Sequence, residues 1–149
     1  MLREEPIGFL VAAVRRRIKQ AVDARVRRRR LSPQQFWLLV AICEAGAVSL
    51  RELAQRQRID SPMASRVITA LARRGLVRVE ADPSDRRRGR IELTPKGRRL
   101  GRQMVALAAE LRAAIVAGFS PADQRRARAL LRRILDNLDR FDPRAGARG

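Results

Sequence analysis

The chain has 149 residues, of which 34 are Lys or Arg and 15 are Asp or Glu, giving a formal net charge of +19 with no histidine. That excess points to a polyanionic partner. The absence of histidine and the single cysteine argue against a zinc site and rule out an internal disulfide framework.

A hydrophobic fraction of 46% can build a core, and the length suits a single domain over 1–149. The apolar run from Ile7 to Val14 is too short to span a bilayer, and its charges follow rather than precede it, so no membrane partner and a cytoplasmic location are expected. Only Lys19 and Lys96 are lysine. Arginine matches phosphates and base edges bidentately, although a GC-rich genome would produce the same bias.

In chain order, the first expected helix covers 5–29, with Ile7, Leu10, Val11, Val14, Ile18 and Val22 along one side. It ends in the charge block Arg27 to Arg30, which precedes the positive N-terminus of the next helix. Ser32-Pro33 sets a capping hydroxyl before a proline suited to the first helical position and opens a helix over 33–45, with Gln35 able to complete the cap and Gly46 as its stop. Ser49-Leu50-Arg51-Glu52 has capping-box spacing and opens a short helix over 50–57. A turn around Ile59-Asp60 leads to a helix over 61–74, with Ser61 as the expected cap ahead of Pro62 and Gly75 as the stop. A short helix, a tight turn and a second helix is helix-turn-helix spacing.

The 61–74 helix divides into two faces. Ala64, Val67, Ile68, Leu71 and Ala72 recur at helical spacing as a core face. Pro62, Ser65, Arg66, Thr69 and Arg73 lie opposite, with Ser61 at the N-terminal edge. Small hydroxyls and one arginine near the N-terminus suit a major groove, where serine bonds several base edges and arginine prefers guanine.

A hairpin is expected over 76–94. Val77 and Val79 alternate with Arg78 and Glu80, and Ile91 and Leu93 alternate with Arg90 and Glu92, as half-buried strands do. Asp82-Pro83-Ser84-Asp85 and Gly89 supply the turn, and Arg86, Arg87 and Arg88 load its tip with charge. A narrow cationic finger fits a minor groove. In extended backbone Asp85 and Arg87 point the same way, so the carboxylate can grip one edge of the guanidinium and leave the other for DNA.

Thr94-Pro95 opens a helix over 95–118 carrying Leu100, Met104, Leu107, Leu111 and Ile115, and Ser120-Pro121 opens one over 121–141 carrying Leu130, Leu131, Ile134, Leu135, Leu138 and Phe141. Residues 142–149 read as a frayed tail. The three long helices have more apolar surface than one small chain can cover, so a two-fold dimer is expected, with reading helices roughly 34 Å apart.

These motifs resemble the MarR family of winged helix-turn-helix transcriptional regulators. The resemblance is carried by Leu31-Ser32-Pro33-Gln34-Gln35-Phe36-Trp37, Leu53-Ala54-Gln55, Ser61-Pro62-Met63-Ala64-Ser65-Arg66, Asp82-Pro83-Ser84-Asp85-Arg86-Arg87 and Leu93-Thr94-Pro95-Lys96-Gly97. It covers about residues 30–100 closely, and the flanking helices by length and order. It implies a mainly α fold in which 33–94 form the winged helix-turn-helix and 5–29 and 95–141 form dimerisation helices. It implies an obligate homodimer on a pseudo-palindromic double-stranded DNA operator, usually as a repressor, with Arg87 as the minor-groove arginine and Asp85 orienting it.

Members of that family often bind small aromatic acids between the dimer arms and the reading domain. Phe9, Trp37, Met104 and Leu107 are the candidates here, and all four are equally good core residues. Cys43, among Leu39, Val40 and Ile42, is expected to be an inert packed thiol, because peroxide-sensing relatives carry their cysteine near the start of the first helix. No catalytic residue, cofactor or metal is expected: no nucleophile–base pair and no glycine-rich phosphate loop occurs. The alternative is a nucleoid-type protein that binds DNA with low specificity, which the charge also fits.

Overall fold

The structure, a computed structural model, describes residues 4–84 and 89–142. The tip residues Asp85, Arg86, Arg87 and Arg88 lie outside the described residues. Six α-helices and a small sheet follow in the order α1 (Ile7–Val26), α2 (Pro33–Ala45), β1 (Val48–Ser49), α3 (Leu50–Gln57), α4 (Ser61–Arg73), β2 (Val77–Ala81), β3 (Gly89–Leu93), α5 (Pro95–Ile115) and α6 (Pro121–Phe141).

Helix starts follow local side-chain chemistry. Ser32 accepts from the Gln35 amide while Gln35 accepts from the Ser32 amide, and Ser49 with Glu52 and Ser120 with Asp123 repeat the reciprocal arrangement. Thr94 caps α5 by accepting from the Gly97 amide. One expected cap is corrected: Asp60, not Ser61, caps α4, accepting from the Met63 amide at 2.7 Å. Ser61 is the first helical residue, and Pro62 sits second, where its missing N–H is still not required.

Two helix ends and one strand also differ. The first helix ends at Val26, and Arg27–Arg29 form a single 3₁₀ turn closed by Arg30 in the left-handed region at φ 54°. Helix α5 stops at Ile115 rather than 118, with Gly118 turning the chain at φ 80°. Strand β1 was not expected. Its two residues pair antiparallel with β3, Val48 opposite Ile91, giving the order β1-β3-β2.

The core lies where α2 crosses the sheet, α4 and α5. Phe36, Leu39, Ile42, Leu53, Leu71, Leu76, Ile91 and Met104 are fully buried there, with Val22 and Val26 closing it from the end of α1. Close approach of α5 requires Gly97, because a Cβ there would lie 1.8 Å from the Leu76 carbonyl oxygen.

Two expectations of burial are corrected. Ala72 is exposed, and so is Val79, because it lies on the edge strand β2 while its partner Ile91 on the central strand takes the buried position. The apolar stripes divide too. On α5, Met104 is buried and Leu100, Leu107 and Leu111 pack on the core, whereas Ile7, Leu10, Val11 and Val14 on α1 are exposed. No residue of α6 is buried, and Leu130, Leu131, Leu135, Leu138 and Phe141 all face outward.

Candidate nucleic-acid interface

The turn between α3 and α4 is short because Arg58 adopts the left-handed conformation, φ 51°, as the cap of α3. Its N–H donates to Gln55 at 3.2 Å, and the Ile59 N–H donates back to Ala54 at 3.1 Å. Asp60 then starts α4 immediately. The two helices are thereby fixed at the corner that helix-turn-helix units use.

Helix α4 presents two chemically distinct faces. Ala64, Val67, Ile68 and Leu71 are buried. Ser61, Pro62, Ser65, Arg66, Thr69 and Arg73 are all exposed, and the structure brings these six together on one helix surface. Buried apolar atoms hold the helix in place, and the outward groups remain free to bond a ligand.

The sheet stands beside that face. A cleft of about 700 Å³ separates them, lined by Ser65 and Thr69 from α4, Gln55 from α3, and Val79, Gly89 and Ile91 from the strands. The hairpin begins its turn where Asp82 Oδ1 accepts from both the Ser84 amide at 2.8 Å and the Ser84 hydroxyl at 2.6 Å.

The outer face of the sheet carries a ladder of charges. Arg78 lies opposite Glu92 and Glu80 opposite Arg90. Arg78 reaches Glu80 at 3.2 Å and Glu92 at 3.1 Å, and Arg90 reaches Glu92 at 3.2 Å. These exposed pairs contribute little to stability, about 0–1 kcal/mol each.

Other candidate anchors divide in the same way. Of the Arg27 to Arg30 block, Arg27 is paired with Asp23, whose carboxylate raises the Arg27 pKa by hydrogen bonding and then by charge. Arg29 donates to Gln103 at 3.1 Å. Arg51 and Arg56 on α3, and Arg58 at its end, are exposed.

The four candidate effector residues are not brought into one cavity. Met104 is buried in the core. Trp37 is half-buried and lines a groove of about 480 Å³ between α1, α2 and α6, with Val11, Val14, Ile18 and Leu131 as apolar walls and Arg15 and Lys19 as cations. Leu107 lines a separate crevice of about 450 Å³ between α1 and α5. Phe9 is 68% exposed and borders neither. Cys43 is half-buried at the end of α2, beside Gly101 and a crevice that Arg90, Arg98 and Arg102 also line.

Arg74, at the end of α4, is a site residue that the sequence does not single out. Its guanidinium donates to the Arg30 and Arg29 carbonyls at 2.6 and 2.9 Å. Those partners lie more than forty positions away in the chain, and no local spacing signals them.

Among the described residues no group of three His, Cys, Asp or Glu is placed to hold a metal. No helix among them is long and apolar enough to cross a membrane.

Comparison with known proteins agrees with this geometry. A model of the MarR family matches residues 31–88. The chain is 26% identical over 133 residues to the HTH-type transcriptional repressor NicR of Pseudomonas putida, covering 89% of this chain and 84% of that protein. It superposes with a TM-score of 0.76 on Bordetella bronchiseptica BpsR, solved in a study of how 6-hydroxynicotinic acid regulates its DNA binding, at 31% identity over 91% of this chain and 97% of that one. Staphylococcus aureus MepR, solved with DNA, shares the fold with a TM-score of 0.80 at 22% identity, covering 91% of this chain and 99% of that one.

Proposed function

This chain belongs to the MarR family of DNA-binding transcriptional regulators, and from that premise we propose that it acts as a homodimeric repressor on a pseudo-palindromic operator, released by a small aromatic acid. The observation that carries the reading is the division of α4: one face sealed in the core, the other offering Ser61, Ser65, Arg66, Thr69 and Arg73 beside the hairpin. In the proposed complex α4 enters a major groove, with Ser65 and Arg66 meeting base edges. The hairpin tip enters the neighbouring minor groove, with Arg87 held by Asp85 and flanked by Arg86 and Arg88. Their part rests on the sequence pattern.

Two-fold assembly is supported by the apolar surface of α1 and α6, where Ile7, Leu10, Val14, Leu131 and Leu138 face solvent in the single chain. So many large apolar side chains left exposed on two helices favour a protein contact. Effector release is supported by the Trp37 groove, where apolar walls and the cations Arg15 and Lys19 suit an aromatic ring bearing a carboxylate. That NicR is a repressor and that 6-hydroxynicotinic acid regulates BpsR favours the same reading.

Selection of bound duplexes from a random library tests the proposal. A two-fold symmetric consensus is expected. Tight binding of every duplex without a consensus would return the low-specificity alternative.

A further inference from the structure

Helix α4 packs along its length on α2, α3 and β2, and its C-terminal end is tied to α1 and α5 at one joint. The Arg74 guanidinium donates through Nη1 to the Arg30 carbonyl at 2.6 Å and through Nη2 to the Arg29 carbonyl at 2.9 Å. Those carbonyls belong to the turn that ends α1. The turn is itself closed by the Arg30 N–H on the Arg27 carbonyl at 2.9 Å and the Leu31 N–H on the Val26 carbonyl at 3.4 Å.

The start of α5 grips the same joint from the other side. Lys96 Nζ donates to the Arg74 carbonyl at 2.9 Å, and Thr94 Oγ1 donates to the Gly75 carbonyl at 2.6 Å. Helix α4 therefore meets both α1 and α5 at residues 74–76. Charged donors make the stronger hydrogen bonds. A guanidinium fork on two successive carbonyls fixes direction as well as distance, which an ammonium on one carbonyl cannot do.

A helix the length of α4 spans about 20 Å. A swing of about 10° at its base moves its tip by about 3.5 Å, close to the roughly 3.4 Å rise between base pairs. We propose that Arg74 is a positioning residue that sets the angle of α4 against the α1 and α5 arms, and through that angle the half-site spacing the dimer accepts on DNA. This rests on the two-fold reading of DNA proposed above.

Binding of the full-length protein to paired half-sites whose spacer varies one base pair at a time tests it. Wild type is expected to prefer one spacer by about tenfold over its neighbours, and Arg74→Ala to reduce that preference by about fivefold, the scale of an ordinary coupling between sites. Arg74→Lys, able to hold one carbonyl, should fall between them. Arg99→Ala, which removes the same charge on α5, should keep the wild-type preference. Affinity of Arg74→Ala for a single half-site should stay within about twofold of wild type, since only coupling is lost.

An unchanged spacer preference in Arg74→Ala overturns the inference. So does an equal loss on every spacer and on the half-site, which would make Arg74 a simple phosphate contact or a folding residue. A wild type indifferent to spacing would instead defeat the two-fold reading. The joint is read independently by amide exchange in the free protein, where Arg74→Ala should accelerate Leu31 and Leu76 together; unaltered exchange at both also overturns the inference.

Discussion

The Leu76 carbonyl and the Gly97 backbone are in such close register that no side chain fits between them: a Cβ on Gly97 would stand 1.8 Å from that oxygen. The first turn of α5 is thereby seated on the segment joining α4 to β2. The Leu76 carbonyl also accepts from the Thr94 N–H at 3.1 Å, so the seat is bonded as well as packed. Gly97→Ala is expected to destabilise the protein by about 3 kcal/mol or more, because backbone rather than a flexible side chain must yield. Thermal melting checks this. Gly8→Ala, where a Cβ meets nothing within 4 Å, is the matched control.

Arg66 is exposed near the N-terminus of α4. Arg66→Ala should cost about 1–3 kcal/mol on the preferred operator and relax preference at one position of each half-site. Arg73→Ala, further along the same face, should weaken binding to all duplexes alike and reduce the salt slope by about one. Titrations of operator and scrambled duplex at several salt concentrations separate the two behaviours.

Arg87→Ala should weaken operator binding by about tenfold, as loss of a good arginine contact does, with no appreciable change in melting temperature. Asp85→Asn should give a smaller loss in the same direction. Both are measured on one operator at matched salt, beside a melting curve for each variant.

Leu138 on α6 is 56% exposed. If α6 packs against a second chain, Leu138→Glu places a charge in that contact. Sedimentation should then show monomer at micromolar concentration where wild type is dimeric, and operator affinity should fall with it.

Asp123 caps α6 by accepting from the Ser120 side chain and backbone, and these bonds lower its pKa below the usual value of 3.8. A carboxyl whose folded pKa is lowered adds stability above its unfolded pKa and loses it as pH falls through the folded one. Helicity of wild type should therefore decline on acidification below about pH 4. Asp123→Asn should lack that part of the decline, as followed by circular dichroism.

The parts of the fold legible in the sequence were those governed by chemistry within one turn. Ser32, Ser49, Thr94 and Ser120 announce their helices because cap and amide lie three residues apart. The sequence does not separate Asp60 from Ser61 as the cap of α4, because both are capping residues and Pro62 is tolerated at either of the first two helical positions. Strand β1 was hidden because its partner Ile91 lies far along the chain and two residues carry no period. The exposed face of α4 was visible from helical spacing, whereas the Arg74 joint depends on contacts that only the folded chain creates. Apolar residues were the hardest to assign. Phe9 and Met104 look alike in sequence, yet one is exposed and the other is sealed in the core.

The charge ladder of Arg78, Glu80, Arg90 and Glu92 gives the molecule an electrical orientation. With a net +19, a uniformly cationic body would adhere to a duplex in any pose and search it poorly. Two carboxylates neutralise two arginines along the stem of the hairpin, so a broadside approach on that flank gains little from the phosphates. Approach that leads with uncompensated cations is favoured, and the acidic residues of this basic protein serve there to steer.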